Sequence, residues 1–254
     1  VTRLPLLALA LLTACSGATG GAQTVTDFET WLGRHPYAGV SVVDASTSEA
    51  IPYAGSADLT ITADPATITG AVEHVCDFRP RDMNGVSFIV LAEQISVPVD
   101  CEDPAAAAET WAAAAAIDGL VSAAVADRDT AAVFADAESA LAGWDALRRL
   151  PGPSYELQVS GGWTLTDDDT TTAEARTIAR EALTSGTPVT RVLVARETAA
   201  EPESVTVEVS RGAARLQGAL VAAHPAWPGV VQVSSSASSR LRTTSSPTSP
   251  ITSR

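Results

Sequence analysis

Apolar positions along the chain alternate between two spacings. One set recurs every three or four residues. Ile68, Ala71, Val72, Val75 and Cys76 follow the spacing of a helix with a single buried face, and Asp64-Pro65 precedes them as a helix-opening signal. The same grammar returns around Trp111 after Asp103-Pro104, and in Ala137, Ala140, Leu141, Trp144 and Leu147 after Asp136. It returns again in Ala175, Ile178, Ala179, Ala182 and Leu183, and in Leu216, Ala219, Leu220 and Ala223 after Ser210. Two S/T-x-x-E capping boxes, Thr26 with Glu29 and Thr171 with Glu174, predict the starts of a first helix carrying Phe28, Trp31 and Leu32 and of a later one.

Between the helices the period falls to two. The runs are Val40/Val42, Leu59/Ile61, Val86/Phe88/Val90, Ile95/Val97/Val99, Tyr155/Leu157/Val159, Trp163/Leu165, Val192/Val194 and Val205/Val207/Val209. Strict alternation predicts strands with one buried and one wetter face. Ser160-Gly161-Gly162 reads as a tight hairpin. The expected class is α+β, with tandem αββ units forming ferredoxin-like βαββαβ two-layer sandwiches over 57–126 and 131–196. A second phase, three successive αββαββ modules, fits the same pattern. The ends share wording, His35-Pro36-Tyr37-Ala38-Gly39-Val40 beside His224-Pro225-Ala226-Trp227-Pro228-Gly229-Val230, which supports an internal repeat.

The N-terminus follows a different logic. Arg3 is followed by Leu4, Leu6, Leu7, Leu9 and Leu11, an apolar run too short to span a bilayer, and then by small residues, as in a secretory signal. Leu12-Thr13-Ala14-Cys15 resembles the lipobox of bacterial lipoproteins. That resemblance implies cleavage before Cys15, a diacylglyceryl thioether on its sulfur and an extracytoplasmic protein anchored to the cell membrane. Residues 1–14 are then the signal peptide and 15–25, rich in Gly, Ala, Ser and Thr, a flexible tether. Two α+β modules are expected over 26–126 and 127–234. The Ser/Thr/Pro-rich 235–254 is an expected disordered tail. The alternating grammar is also similar to that of uncharacterised lipoproteins of high-GC bacteria and, loosely, of the small BON modules of envelope proteins; this likeness is architectural and assigns no activity.

Charge narrows the partners. All sixteen basic residues are arginine, and the region between signal and tail carries thirty carboxylates against twelve arginines. A nucleic-acid partner, which needs phosphate neutralisation, is not expected. Direct adsorption to an anionic membrane is equally disfavoured, which leaves the lipid as the membrane attachment. With Cys15 assigned to the lipid, Cys76 and Cys101 remain as a disulfide candidate for an oxidising compartment. Two free thiols and half a metal site are the competing readings, the latter without a CxxC or a suitably spaced histidine.

Candidate chemistry is sparse. His35 and His224 sit where a helix gives way to proline, a place for capping a negative helix end. His74 has only Glu73 as a chain neighbour. Asp167-Asp168-Asp169 with Thr170, Thr171 and Thr172 invites a calcium reading, but the EF-hand order is absent and the acids suit the following helix start. Asp100, Glu102 and Asp103 carry the same ambiguity. No nucleophile elbow, phosphate loop, zinc-protease or dinucleotide motif is present. Trp31, Trp111, Trp144, Trp163 and Trp227 fall on apolar stripes and are expected in the core. The sequence therefore predicts no catalytic set, no metal and no cofactor. The expected role is a non-enzymatic envelope scaffold or binding protein with an envelope protein as partner. A small-ligand- or solute-binding lipoprotein and an enzyme with an unrecognised site stand as alternatives.

Overall fold

The computed structural model describes residues 20–51, 54–80, 84–196 and 202–236. They divide into two compact units at Ala112/Ala113. The join falls inside helix α3 (Pro104–Ala115) rather than at the expected 126/127 boundary. Among the described residues no helix is long and apolar enough to cross a membrane.

The first unit runs α1 (Gly20–Arg34), β1 (Ser41–Ile51), β2 (Ala54–Thr62), a 3₁₀ turn (Pro65–Thr67), α2 (Ile68–Val75), β3 (Gly85–Ala92) and β4 (Ile95–Val99). β1 and β2 are antiparallel, β2 and β3 parallel, and β3 and β4 antiparallel. Registration brings Ile61, Val90 and Val97 into one row and Leu59, Phe88 and Val99 into the next. All but Val99 are buried. The predicted face of α2 is the buried one: Ile68, Ala71, Val72 and Val75. Asp64 opens this segment as expected, its carboxylate accepting from the Ala66 N–H at 2.8 Å.

Helix α1 begins earlier than its capping-box signal. Thr26 lies mid-helix, and its hydroxyl donates to the Ala22 carbonyl instead of capping. The extra turns are held by tertiary contact: a Cβ on Gly21 would stand 2.6 Å from the Ser56 carbonyl oxygen, and one on Gly55 2.6 Å from the Gly21 nitrogen. Backbone meets backbone there, which only glycine permits. Residues 20–25 of the expected tether are thus helical, with Gly20, Gly21 and Thr24 buried.

The second unit contains β5 (Leu120–Val125), β6 (Asp129–Phe134), α4 (Ala137–Leu147), β7 (Ser154–Val159), β8 (Thr164–Asp168), α5 (Ala173–Thr184), β9 (Val189–Ala195), β10 (Ser204–Val209), α6 (Ala213–Ala223) and β11 (Val230–Ser235). Its strands neighbour one another in chain order. Hairpin partners are antiparallel, and strands joined through α4, α5 and α6 are parallel. One row crosses the whole unit: Ala123, Ala132, Leu157, Leu165, Val192, Val207 and Val233. The first six are buried, whereas Val233 at the margin is only half-buried. On the opposite face Ala131, Glu156 and Gln232 are exposed. Each fully buried leucine or valine of the row stabilises the fold by about 1.5–3 kcal/mol relative to exposure.

Each of α1 to α5 is followed by two strands, and α6 by β11 alone, so the αββ grammar holds for five of the six helices among the described residues. The strand order, however, is sequential. In the split arrangement expected of a ferredoxin-like sandwich a third strand separates the parallel pair, whereas β2/β3, β6/β7 and β8/β9 are direct neighbours. Two helix starts also shift. Thr172, not Thr171, caps α5, accepting from the Ala175 N–H. Gly212, in the left-handed region at φ +82°, precedes α6, while Ser210 still belongs to the end of the strand region, its N–H donating to Pro188. The Ser160-Gly161-Gly162 turn joins β7 to β8 as expected, with Gly161 at φ +68°.

Candidate functional site

Cys15 lies outside the described residues. Cys76 and Cys101 are joined by a disulfide, with S–S 2.04 Å and Cα–Cα 5.3 Å. It ties the C-terminal end of α2, where Cys76 is buried, to the exposed turn between β4 and α3. Asp100, Glu102 and Asp103 shape that turn: the Asp100 carboxylate accepts from the Glu102 N–H at 2.8 Å, and its carbonyl from Asp103 at 3.2 Å.

The first unit gathers two of the three histidines, which the sequence treated separately. His74, in the last turn of α2, stacks between the rings of Trp31 (centroids 4.9 Å) and Tyr37 (5.2 Å). Its Nε2–H donates to the His35 carbonyl at 2.7 Å. His35 follows α1 as expected, and its ring stacks on Trp31 at 5.1 Å with Nδ1 3.0 Å from the Trp31 carbonyl. Beneath lie Phe28, Phe78 and Phe88, whose centroids are 5.1–5.2 Å apart in the two contacts made by Phe28. This is an aromatic plug fastening α1 to α2, and the half-buried His74 is one of its rings. Beside it an open groove of about 320 Å³ includes Glu29, Leu32, Pro36, Tyr37 and Val42.

The second unit holds a buried polar cluster. Strand alternation puts Asp167 on the same face as Leu165, inside the fold, where it is 1% exposed. One carboxylate oxygen accepts from the Trp144 indole N–H at 2.8 Å and from Arg148 Nη1 at 2.5 Å. The other accepts from the Thr171 hydroxyl at 2.5 Å. Arg148 also donates to the carbonyls of Asp168 and Asp169. Tyr155 lies under its guanidinium, 5.6 Å from ring centroid to Cζ, and donates its hydroxyl to the Arg148 carbonyl at 3.1 Å. Burial is the main reason the Tyr155 phenol is pushed above its ordinary range.

The aspartate triplet is therefore divided in purpose. Asp167 is an internal anion paired with arginine. Asp168 accepts from the N–H and hydroxyl of Thr170 and from the Arg196 N–H, and only Asp169 faces out. Three carboxylates adjacent in sequence do not converge as a calcium cage needs. Among the described residues no three His, Cys, Asp or Glu side chains are placed to share a metal ion.

Two further contacts had no signal in the local sequence. Glu203, 4% exposed, reaches the start of α5, accepting from the Thr172 N–H and hydroxyl, each at 2.6 Å. His224, at the end of α6 as expected, places Nε2 2.9 Å from Glu181 and Nδ1 3.9 Å from Glu174, both on α5. Of the tryptophans, Trp144 and Trp163 are buried, while Trp31, Trp111 and Trp227 keep part of their surface in solvent. Trp111 anchors α3 by donating its indole N–H to the Ala92 carbonyl at 3.2 Å.

A second open groove, of about 460 Å³, lies along α4. Ile117, Ala142, Gly143 and Ala146 supply its apolar part, and Asp118, Asp136 and Glu138 its carboxylates. Asp136 is committed to capping α4, accepting from the Ser139 N–H at 2.8 Å and hydroxyl at 3.2 Å. The chain matches no protein-family model, no curated protein and no solved structure.

Proposed function

We propose that this is a lipid-anchored extracytoplasmic protein of a bacterial envelope, acting as a non-enzymatic scaffold or binding protein. The observation that carries the reading is the run Leu12-Thr13-Ala14-Cys15 behind its short apolar segment. Two features support it. Cys76 and Cys101 form a disulfide, which persists outside the reducing cytosol and leaves Cys15 as the remaining thiol of the three cysteines. Thirty carboxylates against twelve arginines between signal and tail disfavour adsorption to anionic lipid, so attachment falls to the covalent chains. Each buried methylene contributes about 0.8 kcal/mol, so two or three acyl chains hold where one would exchange.

The scaffold part of the reading rests on the repeated αββ architecture, which offers rigid sheet faces and edges to an envelope partner. The test is expression in a bacterial host with lipoprotein processing, comparing the chain with Cys15→Ser. The expected result is an N-terminal fragment beginning at a diacylglyceryl-modified Cys15, with the protein partitioning into the detergent phase. Recovery of an unmodified Cys15, or equal partitioning of the two forms into the aqueous phase, overturns the anchoring.

A further inference from the structure

Among the described residues β11 is the last strand of the sheet, and its outer side is unlike that of an ordinary edge. The Val230 N–H donates to the Glu203 carbonyl, so the even-numbered peptide groups of β11 turn toward β10. The odd-numbered groups of Val231, Val233 and Ser235 turn to the open side. There the Gln217 side chain, from α6, takes the place of a neighbouring strand. Its amide nitrogen donates to the Val231 carbonyl at 3.3 Å, and its amide oxygen accepts from the Val233 N–H at 3.4 Å. One carboxamide thus reproduces the donor–acceptor pair that a further strand would present.

We propose that Gln217 is a plug that holds closed a strand-addition site, and that the occupant it excludes is β11 of a second copy of this chain. The remaining features of the edge favour pairing. Val230–Ser235 contains no charge and no proline, and its pairing with β10 has no bulge. Those are the usual devices that blunt an edge. At the first unit's edge β1 carries Asp44 and Glu49 and two register irregularities.

Antiparallel pairing centred on Gln232 sets Val231 against Val233 of the other copy, twice over, because opposed residues share a face. These are the half-buried ends of rows that are fully buried further in. Val221, one helical turn beyond Gln217 on the same side of α6, is 51% exposed. Self-pairing opposes no like charges along the strand. Residues 237–254 are a poor alternative occupant, since Leu241 and Ile251 are their large apolar residues and no alternating run is present.

The proposal does not depend on the anchor and is tested without it. Sedimentation velocity over a concentration series compares the full chain carrying Cys15→Ser with the same chain carrying Gln217→Ala in addition. Gln217→Ala is expected to dimerise at a concentration at least about tenfold lower. Adding Val233→Pro, which removes the outward N–H, is expected to reverse the shift. Unchanged sedimentation of a folded Gln217→Ala protein overturns the proposal, and so does association that survives Val233→Pro. Should Gln217→Ala fail to fold, amide exchange on the dilute parent decides. Protection of the Val233 N–H is the expected result, and exchange at the rate of a free amide overturns it.

Discussion

The guanidinium of Arg148 stands 2.5 Å from the carboxylate of Asp167, which is buried on the sheet face beneath α4. The two ends of this pair are unequal. The Asp167 side chain is 0% exposed, whereas that of Arg148 is 14% exposed and has other acceptors in Asp168 and Asp169. Removing the cation strands an internal charge, while removing the anion leaves an arginine that water can reach. Arg148→Ala is therefore expected to destabilise the fold by about 3–5 kcal/mol, the range for breaking a buried pair from one side. Asp167→Asn, which can still accept from Trp144, is expected to cost less. Urea denaturation of both variants measures the difference, and an equal cost would show that the desolvation of Asp167 is not what decides it.

The disulfide closes a loop of 25 residues between α2 and the turn before α3. Constraining a loop of that length in the unfolded chain is worth about 3.5 kcal/mol in the chain-entropy description. Cys76→Ser with Cys101→Ser is expected to lower stability by about that amount without changing the circular dichroism at room temperature. A thiol assay on the denatured, unreduced protein should find neither cysteine reactive, and two further thiols should appear after reduction.

The fold was most legible where contrast was high. Val205, Val207 and Val209 alternate with Thr206 and Glu208, and β10 lies where they predict it. β5 and β6 lack that contrast, because Ala123, Ala124, Ala131 and Ala132 give both faces the same residue. The capping box at Thr26 misled for a tertiary reason, the backbone contact of Gly21 with β2 that carries the helix further back. Of the site residues, the disulfide was readable from cysteine count. Asp167 was readable in principle, being two residues beyond the apolar Leu165 on one strand face. The Trp31, Tyr37 and His74 stack was not, since it joins residues from three elements. Gln217 acts on a strand that follows its own helix, and nothing in its neighbours marks it.

Asp136 gives stability a defined acid limit. Its carboxylate is held below the ordinary range first by the Ser139 N–H and then by the Ser139 hydroxyl. A group whose folded pKa is lowered binds fewer protons folded than unfolded, so its contribution is complete above the ordinary carboxylate range. That contribution fades as pH falls through the lowered value. Asp136→Asn keeps a capping oxygen but cannot ionise. The melting temperature of the parent should therefore exceed that of Asp136→Asn near neutrality, and the gap should narrow on acidification. A gap that widened with acid would contradict the direction assigned to the shift.

The start of α5 depends on a residue far along the chain. Glu203 accepts from both the N–H and the hydroxyl of Thr172, 31 positions earlier, and does so with its carboxylate almost fully buried. The anion faces the positive end of the helix dipole and also satisfies one of the unpaired N–H groups of the first turn. Arg196 lies 4.0 Å away, too far for a strong hydrogen bond, so the helix terminus rather than that arginine is its closest partner. Glu203→Gln keeps one acceptor oxygen and loses the charge; Glu203→Ala leaves both donors of Thr172 without this partner. The expected order of stability is parent, then Gln, then Ala, with the last about 1–3 kcal/mol below the parent. Amide exchange at Thr172 should rise in the same order. If Glu203→Gln were as costly as Glu203→Ala, the charge would outweigh the hydrogen bonds in holding this helix end.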